Sequence, residues 1–327
     1  MMKIENFKIF KGQHCETNAI GNLFVNIGIN LSEPMIFGLA SGLGYIFWNM
    51  KIMDFPFMGG RTKPDEITTN ICKILHLKLN RSETSSVKTA WEIVKKQIEH
   101  SVPVGLKLDS YHLDYFTNKI HFAGHYATIY GYDEKYAYLV DTIQQGSSVK
   151  TSLGNLALAR NEKGPMSSKN LSFTIEKTGK LPDVRDIIPQ AIICNARDFL
   201  NPPIKNIGYK GIEKTGKEIF KWFETSKNIS NDFTLQAMLM ERAGTGGALF
   251  RNIYRDFLHE SFTITQNKKI GTARDHYIEI AKMWTKVSGL FNQVGETKDI
   301  EYVKQASVLL RSIADKEKTA MEILEKI

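Results

Sequence analysis

Cysteine is scarce in this chain, with three in 327 residues, at Cys15, Cys72 and Cys194. An odd number spread so widely excludes a disulfide framework and a thiolate zinc site, so a cysteine that matters is expected to act as a free thiol. Long apolar runs are missing too. No stretch reaches the roughly 18 consecutive apolar residues of a spanning helix, which sets the expectation of no membrane contact. The opening MMKIENFKIFKGQH lacks the basic stretch, apolar core and cleavage site of a secretion signal, so a cytoplasmic protein is expected. Also absent are GxxxxGK[ST], the GxGxxG order, HExxH and a calcium-loop pattern, so neither a nucleotide loop nor a metal centre is expected. A strong charge of one sign is lacking as well: 43 Lys and Arg against 35 Asp and Glu leave +8. In EKTGKEIFKW and ADKEKTAMEILEKI the basic residues alternate with acids at helical spacing, as on solvated helix faces. Nucleic acid is therefore not the expected partner, and an acidic protein fits the surplus better.

With 42% hydrophobic residues, the chain is long enough for two cores. Ala19, Ile20, Leu23, Phe24 and Ile27 mark one face of a helix that Gly28 ends. Ser32 and Pro34 suit the start of the next, which runs to ASGLG before the strand-like YIFW. A helix from Ser86 to His100 precedes the extended VPVGLKLD, and HFAGHYATIYGYD and YAYLVDT carry the aromatic and branched residues of a sheet. Beyond Asp141 the chain turns polar and irregular, with SFTIEK a short strand. Helices are expected near 188–199, 207–225, 231–260, 271–290 and 298–326. This change of character predicts an α+β fold class and two domains, a mixed one at 1–185 and a helical one at 186–327.

Cys15 stands directly before the first amphipathic helix, where free backbone N–H groups and the positive helix end favour a thiolate. Burial is the plainer reading of any free cysteine, so a partner must decide. His125 is the best placed, because a strand presents its imidazole rigidly and Gly124 lets a substrate approach. A three-residue loop at Asp133 to Lys135 sets Tyr132 opposite Tyr136 and Ala127 opposite Asp141, so Asp141 shares a face with His125 and can orient its ring. A two-residue loop reverses that face. His121 and Asp109 are the second choices for base and orienter. The chain order Cys, His, Asp is that of papain-like thiol enzymes. In this chemistry the thiolate attacks a carbonyl, and the Cys15 N–H with the amide of Gln13 or Asn18 holds the oxyanion. The spacing leaves open which amide serves.

HCETNAIGNLF at 14–24, LSEPMIFGLASGLGYIF at 31–47, PFMGGR at 56–61 and HFAGHYATIYGYD with VDT at 121–142 together resemble the N-terminal domain of the butirosin biosynthesis protein H family. GTGGALFRNIYRDFL at 244–258 resembles the C-terminal domain that accompanies it. The resemblance implies a papain-like, cysteine-protease-type N-terminal domain with a mainly helical C-terminal domain. It also implies an acyltransferase that moves an acyl group from the phosphopantetheine thiol of an acyl carrier protein to an amine acceptor. The family's nucleophile, histidine and aspartate fall on Cys15, His125 and Asp141. Asn18 stands where a small hydroxyl residue is expected, which leaves the build of the oxyanion site open. No permanently bound cofactor is implied, since the phosphopantetheine thioester arrives with the donor.

Other motifs carry two readings each. Glu33, at a helix start, is a capping residue or a binder of the amine. Arg61, at the end of a sharp PFMGGR loop, positions an anion or pairs with a carboxylate. Gly244, Gly246 and Gly247 ahead of Arg251 suit a grip on the pantetheine phosphate, or a tight interhelical turn. The competing functions are an amide or peptide hydrolase, which hands the acyl group to water, and a non-catalytic binding module on the same shell. Acyl group, acceptor and oligomeric state are not encoded in any motif.

Overall fold

The computed structural model describes residues 1–50, 53, 55–164 and 167–327. Along the chain run β1 (Met2–Lys3), α1 (Cys15–Asn26), α2 (Glu33–Leu39), β2 (Leu43–Trp48), β3 (Phe57–Arg61), α3 (Glu66–Ile74) and β4 (Lys78–Ser82). Next come α4 (Val87–Glu99), β5 (Val104–Leu108), β6 (His125–Tyr132), β7 (Tyr136–Val140), β8 (Ser148–Ser152), α5 (Leu153–Asn161) and β9 (Ser172–Glu176). Helices α6 (Val184–Leu200), α7 (Gly208–Thr225), α8 (Ile229–Arg242), α9 (Arg251–Thr265), α10 (Lys268–Thr297) and α11 (Ile300–Leu324) follow.

These elements form two compact units, Met1–Ile36 with Pro64–Pro182, and Phe37–Lys63 with Asp183–Ile327. A single cut at 185 does not describe that division. The β2–β3 hairpin packs with the helices: Asn195 Nδ2 donates to Leu43 O at 2.7 Å, and Tyr45 OH lies 2.6 Å from Thr215 Oγ1. Phe37 stacks on Phe250 with centroids 5.6 Å apart. PFMGGR is correspondingly a strand, not the sharp loop its glycines suggested. Gly60 is required there because a Cβ would come within 2.3 Å of the Leu249 carbonyl.

The first unit is built on an antiparallel sheet in the order β4-β9-β5-β6-β7-β8, with β1 paired to the far end of β6. Val104, Leu106 and Leu108 of β5 and Ala127 and Ile129 of β6 point to one face, where Val94 and Ile98 of α4 and Leu156 and Ala159 of α5 cover them. On the other face Thr128 donates to Ala19 O of α1. Every residue of α1 from Cys15 to Phe24 is buried, so it is a central helix and not a surface one. A buried helix starting at a cysteine and packed on an antiparallel sheet is the papain-like arrangement.

The β6–β7 turn differs by one residue from expectation. Tyr132 pairs with Ala137, not Tyr136, but the register shifts between Ile129 and Gly131, where Tyr130 is an extra residue on β6. Beyond that bulge Ile129 pairs with Leu139 and Thr128 with Val140, the register that puts Asp141 on the His125 face. Strand β8 and helix α5 lie in the stretch whose polar, irregular sequence predicts no regular element. Ser152 caps α5, accepting from Asn155 N at 3.3 Å, but nine residues are too few to show a period.

The second unit is largely helical. The 30-residue α10, about 45 Å long, packs on α8, α9 and α11. Trp222 stacks on Phe233 at 4.0 Å between centroids and Trp284 is fully buried. The helix expected over 231–260 is two helices, because Gly244, Gly246 and Gly247 and then Ala248, Leu249 and Phe250 all have positive φ. No helix among the described residues is long and apolar enough to cross a membrane.

Candidate active site

The start of α1 is fixed from three sides. His14 is the N-cap, with its ring accepting from Thr17 N at 3.5 Å, and Asn18 N donates to His14 O at 2.8 Å. The Glu33 carboxylate accepts from Gln13 N at 2.8 Å, His14 N at 2.8 Å and Thr17 Oγ1 at 2.7 Å. Burial raises the Glu33 carboxyl despite those three bonds. Gly12 lies against it, where a Cβ would meet Glu33 Oε1 at 2.8 Å. Glu16 reaches the other way, accepting from Thr68 N at 3.0 Å and so capping α3.

Cys15 opens the helix at 9% exposure, with His125 and Asp141 buried beside it at 6% and 0%. Asp141 Oδ2 lies 2.7 Å from His125 Nε2, which leaves Nδ1 as the ring's other nitrogen, and Cys15 is close enough to act on the same ring. Burial alone would lower the His125 pKa. The charge and hydrogen bond of Asp141, joined by Cys15, outweigh it and raise the ring from 6.5 to about 10. Asp141 has two further donors: Thr142 N reaches Oδ1 at 2.6 Å and Tyr115 OH reaches Oδ2 at 2.7 Å. Burial and the Asp141 charge push the Tyr115 hydroxyl far above its ordinary range, so it serves as a donor. Phe116 sets its ring edge to face on His125 at 5.1 Å. Tyr115 and Phe116 had no signal in the sequence, since SYHLDYF follows a strand and has no period.

Several candidates have other tasks. Asn18 is fully buried; its Oδ1 accepts from Gly12 N at 2.8 Å, which fixes the approach to the helix, while its Nδ2 is buried without a partner among the described residues and so stays available as an oxyanion donor. Gln13 keeps an exposed side chain, and its backbone is what Glu33 holds. Glu33 is therefore a brace, not an amine pocket. Arg61 belongs to the hairpin of the other unit and donates to Thr62 O at 3.0 Å.

Arg251 cannot grip a phosphate. It is fully buried, with Nε and Nη2 on Glu317 at 2.8 and 2.9 Å and Nη1 on Leu249 O at 2.8 Å. The turn at Gly244, Gly246 and Gly247 is equally committed, because Glu241 Oε2 accepts from Ala248 N at 3.2 Å and sets a carboxylate where an anion was expected. Of the two readings the sequence left open, the tight interhelical turn is the one that forms, since the following arginine points inward.

His121 is not on the strand with His125, since β6 begins at His125. Its Nδ1 lies 2.9 Å from Asp109 Oδ2, so the two second choices pair with each other. His112 and Glu162 adjoin them, and one ligand atom from each of the four lies within 4.8 Å of the rest. Glu162 lies 50 positions beyond His112, which is why no spacing motif announced the four.

Residues 14–142 match the family model described as Butirosin biosynthesis protein H, N-terminal, and residues 154–324 match the one described as Domain of unknown function (DUF4872). Comparison with curated proteins finds no match.

Proposed function

Because the chain belongs to the family that joins the butirosin biosynthesis protein H N-terminal domain to the DUF4872 domain, we propose that it is a cysteine-dependent acyltransferase taking an acyl thioester to an amine. Family membership carries the acyl-transfer type of activity. The observation that supports the cysteine mechanism is the buried His125–Asp141 pair, 2.7 Å apart, with Cys15 beside it at the start of α1.

In the first step the Cys15 sulfur attacks the thioester carbonyl, and the tetrahedral intermediate expels the donor thiol, which leaves with the proton from His125 Nδ1. The ring is then neutral. Asp141 holds Nε2–H, so the free lone pair is on Nδ1, facing the S-acyl group. An amine attacks that carbonyl, gives its proton to Nδ1 and expels the Cys15 sulfur, leaving an amide. Thioester and amine become amide and thiol, with enzyme regenerated. Thiol exchange is nearly balanced by bond type, whereas amide formation draws the sequence forward. The Cys15 N–H at the helix start is one candidate oxyanion donor, with the unpartnered Asn18 Nδ2 or the exposed Gln13 amide as the second.

The donor is an acyl carrier protein or another acyl thioester, the acceptor a small amine, and no resident cofactor takes part. The +8 balance suits an acidic donor. We assign donor recognition to the surface of the helical unit, not to its buried Arg251. Intact-mass spectrometry with a panel of acylated carriers tests the reading. Acyl mass on the Cys15 peptide, discharged to an amide when amine is added and absent in Cys15→Ala, is the expected result. Discharge to free acid at the same rate with and without amine means a hydrolase, and no adduct with any donor ends the proposal.

A further inference from the structure

Four side chains that the proposed chemistry does not use meet one residue beyond the β5 position that faces His125. Asp109 leaves β5, His112 ends the single turn Ser110–His112, His121 lies on the returning segment, and Glu162 caps the end of α5. Asp109 is 1% exposed. Its Oδ1 accepts from Tyr111 N at 3.0 Å and Phe122 N at 2.9 Å, which turns Oδ2 toward His121 Nδ1. The His121 ring is itself held by stacking on Tyr111, with centroids 3.9 Å apart. His112 Nε2 lies 2.7 Å from Glu162 Oε2, and the two imidazoles sit edge to face at 5.7 Å.

Two neutral imidazoles and two carboxylates make a donor set of charge −2, the complement of one divalent cation. Imidazole donors favour zinc and its transition-metal neighbours over magnesium or calcium, which take oxygen. At zinc bond lengths of ~2.0–2.1 Å, tetrahedral donors sit about 3.3 Å apart. The two existing pairs, at 2.7 and 2.9 Å, would open slightly, and the pairs would draw together from their present spread of up to 4.8 Å. Asp109 already has the anchoring of its second oxygen that metal-ligating carboxylates use.

We propose that Asp109, His112, His121 and Glu162 form a binding site for one zinc-class divalent cation, which ties both ends of segment 109–122 to the end of α5. That segment carries Tyr115 and Phe116, so the cation would steady the two groups that hold Asp141 and His125. This last clause rests on the proposed function; cation binding does not.

The test uses full-length, tag-free protein, loaded with zinc, desalted and analysed for metal per chain. One equivalent is expected in the wild type and in Cys15→Ser, and loss of it in the His112→Ala/His121→Ala double variant. Zinc should raise the Tm of the wild type and not of the double variant, while matching circular dichroism in chelator shows that the variant folds. Cobalt should give tetrahedral visible bands without thiolate charge transfer. Equal zinc in wild type and double variant, or zinc lost in Cys15→Ser, overturns the site. An alkylation pH profile of Cys15 unchanged by chelation overturns the steadying role alone.

Discussion

Asp141→Asn separates charge from orientation in the candidate relay. Asp141 accepts three hydrogen bonds and donates none, at 2.7 Å from His125 Nε2, 2.7 Å from Tyr115 OH and 2.6 Å from Thr142 N. An amide of the same shape must aim its NH₂ at one side. If its oxygen serves His125 and Tyr115, the NH₂ faces the Thr142 N–H, donor against donor, at a cost of about 1–3 kcal/mol. If its oxygen serves Thr142, the NH₂ faces His125 and forces the proton to Nδ1, the nitrogen that must accept it from the nucleophile or amine. Either outcome also removes the charge that raises His125 from 6.5 to about 10, leaving burial to lower it. The expected loss in acyl transfer is about 10²- to 10⁴-fold, the scale of a triad with the wrong tautomer. Stability gives a second reading with a definite sign. A histidine whose folded pKa is raised contributes stability that is full below 6.5 and lost as pH rises through about 10. The wild type should therefore lose Tm over that interval, and Asp141→Asn should begin lower and lose less. Transfer rate, Cys15 alkylation and Tm measured across the interval decide the matter, and wild-type values of all three in Asp141→Asn would refute the reasoning.

Tyr115→Phe removes one charge-assisted hydrogen bond to a buried carboxylate and should cost about 1.5–3 kcal/mol in urea unfolding, with a smaller rate loss than Asp141→Asn. Asn22→Leu orphans the Phe10 N–H and should destabilise by about 1–3 kcal/mol in the same assay. Arg251→Met strands Glu317 at 0% exposure and should cost about 3–5 kcal/mol, while Arg251→Met/Glu317→Leu regains most of it, as thermal melts would show. A carrier-binding role for Arg251 predicts the opposite pattern, with lost donor affinity at unchanged stability.

What could be read from the sequence was local. Ser32 and Ser86 cap their helices at 3.2 Å because a short side-chain oxygen before an apolar period has one economical use. Cys15 at a helix start, His125 on a strand and Asp141 on the same face followed from period and order, although the last held only because the Tyr130 bulge cancels a turn longer by one residue. Long-range facts had no local sign. The β2–β3 hairpin looks like part of the mixed region, and partners far along the chain, Asn195 and Thr215 among them, reveal that it belongs with the helices. The break in 231–260 was hidden because Ala248, Leu249 and Phe250 are residues that ordinarily shun positive φ. Tyr115 is silent for the same reason: a hydroxyl's partner lies in the fold, not in its neighbours.

The amides near Cys15 have a task in the fold that their proximity to a nucleophile hides. Asn18, Asn22 and Asn26 recur every fourth residue of α1, and their Oδ1 atoms accept from Gly12, Phe10 and Lys8 N at 2.8, 2.9 and 3.0 Å. Four helical residues rise about 6 Å, and two extended residues rise about 6.6 Å. The two periods stay in step over three rungs, so an extended segment can run antiparallel to the helix with alternate N–H groups satisfied by side chains. Such a segment needs no strand partner, and it delivers the chain to His14 and Cys15 with its position set by the helix that Cys15 begins. An asparagine at position 18, where a hydroxyl residue was expected, is then the last rung of this ladder. Asn22 and Asn26 also spend their Nδ2 atoms, on Asn18 O and Asn22 O, whereas Asn18 Nδ2 is buried without a partner among the described residues. Asn22 and Asn26 variants should therefore lose rate in step with stability and Asn18 variants lose more rate than stability, while all three on one line in paired transfer-rate and urea-unfolding measurements would refute a donor role for Asn18.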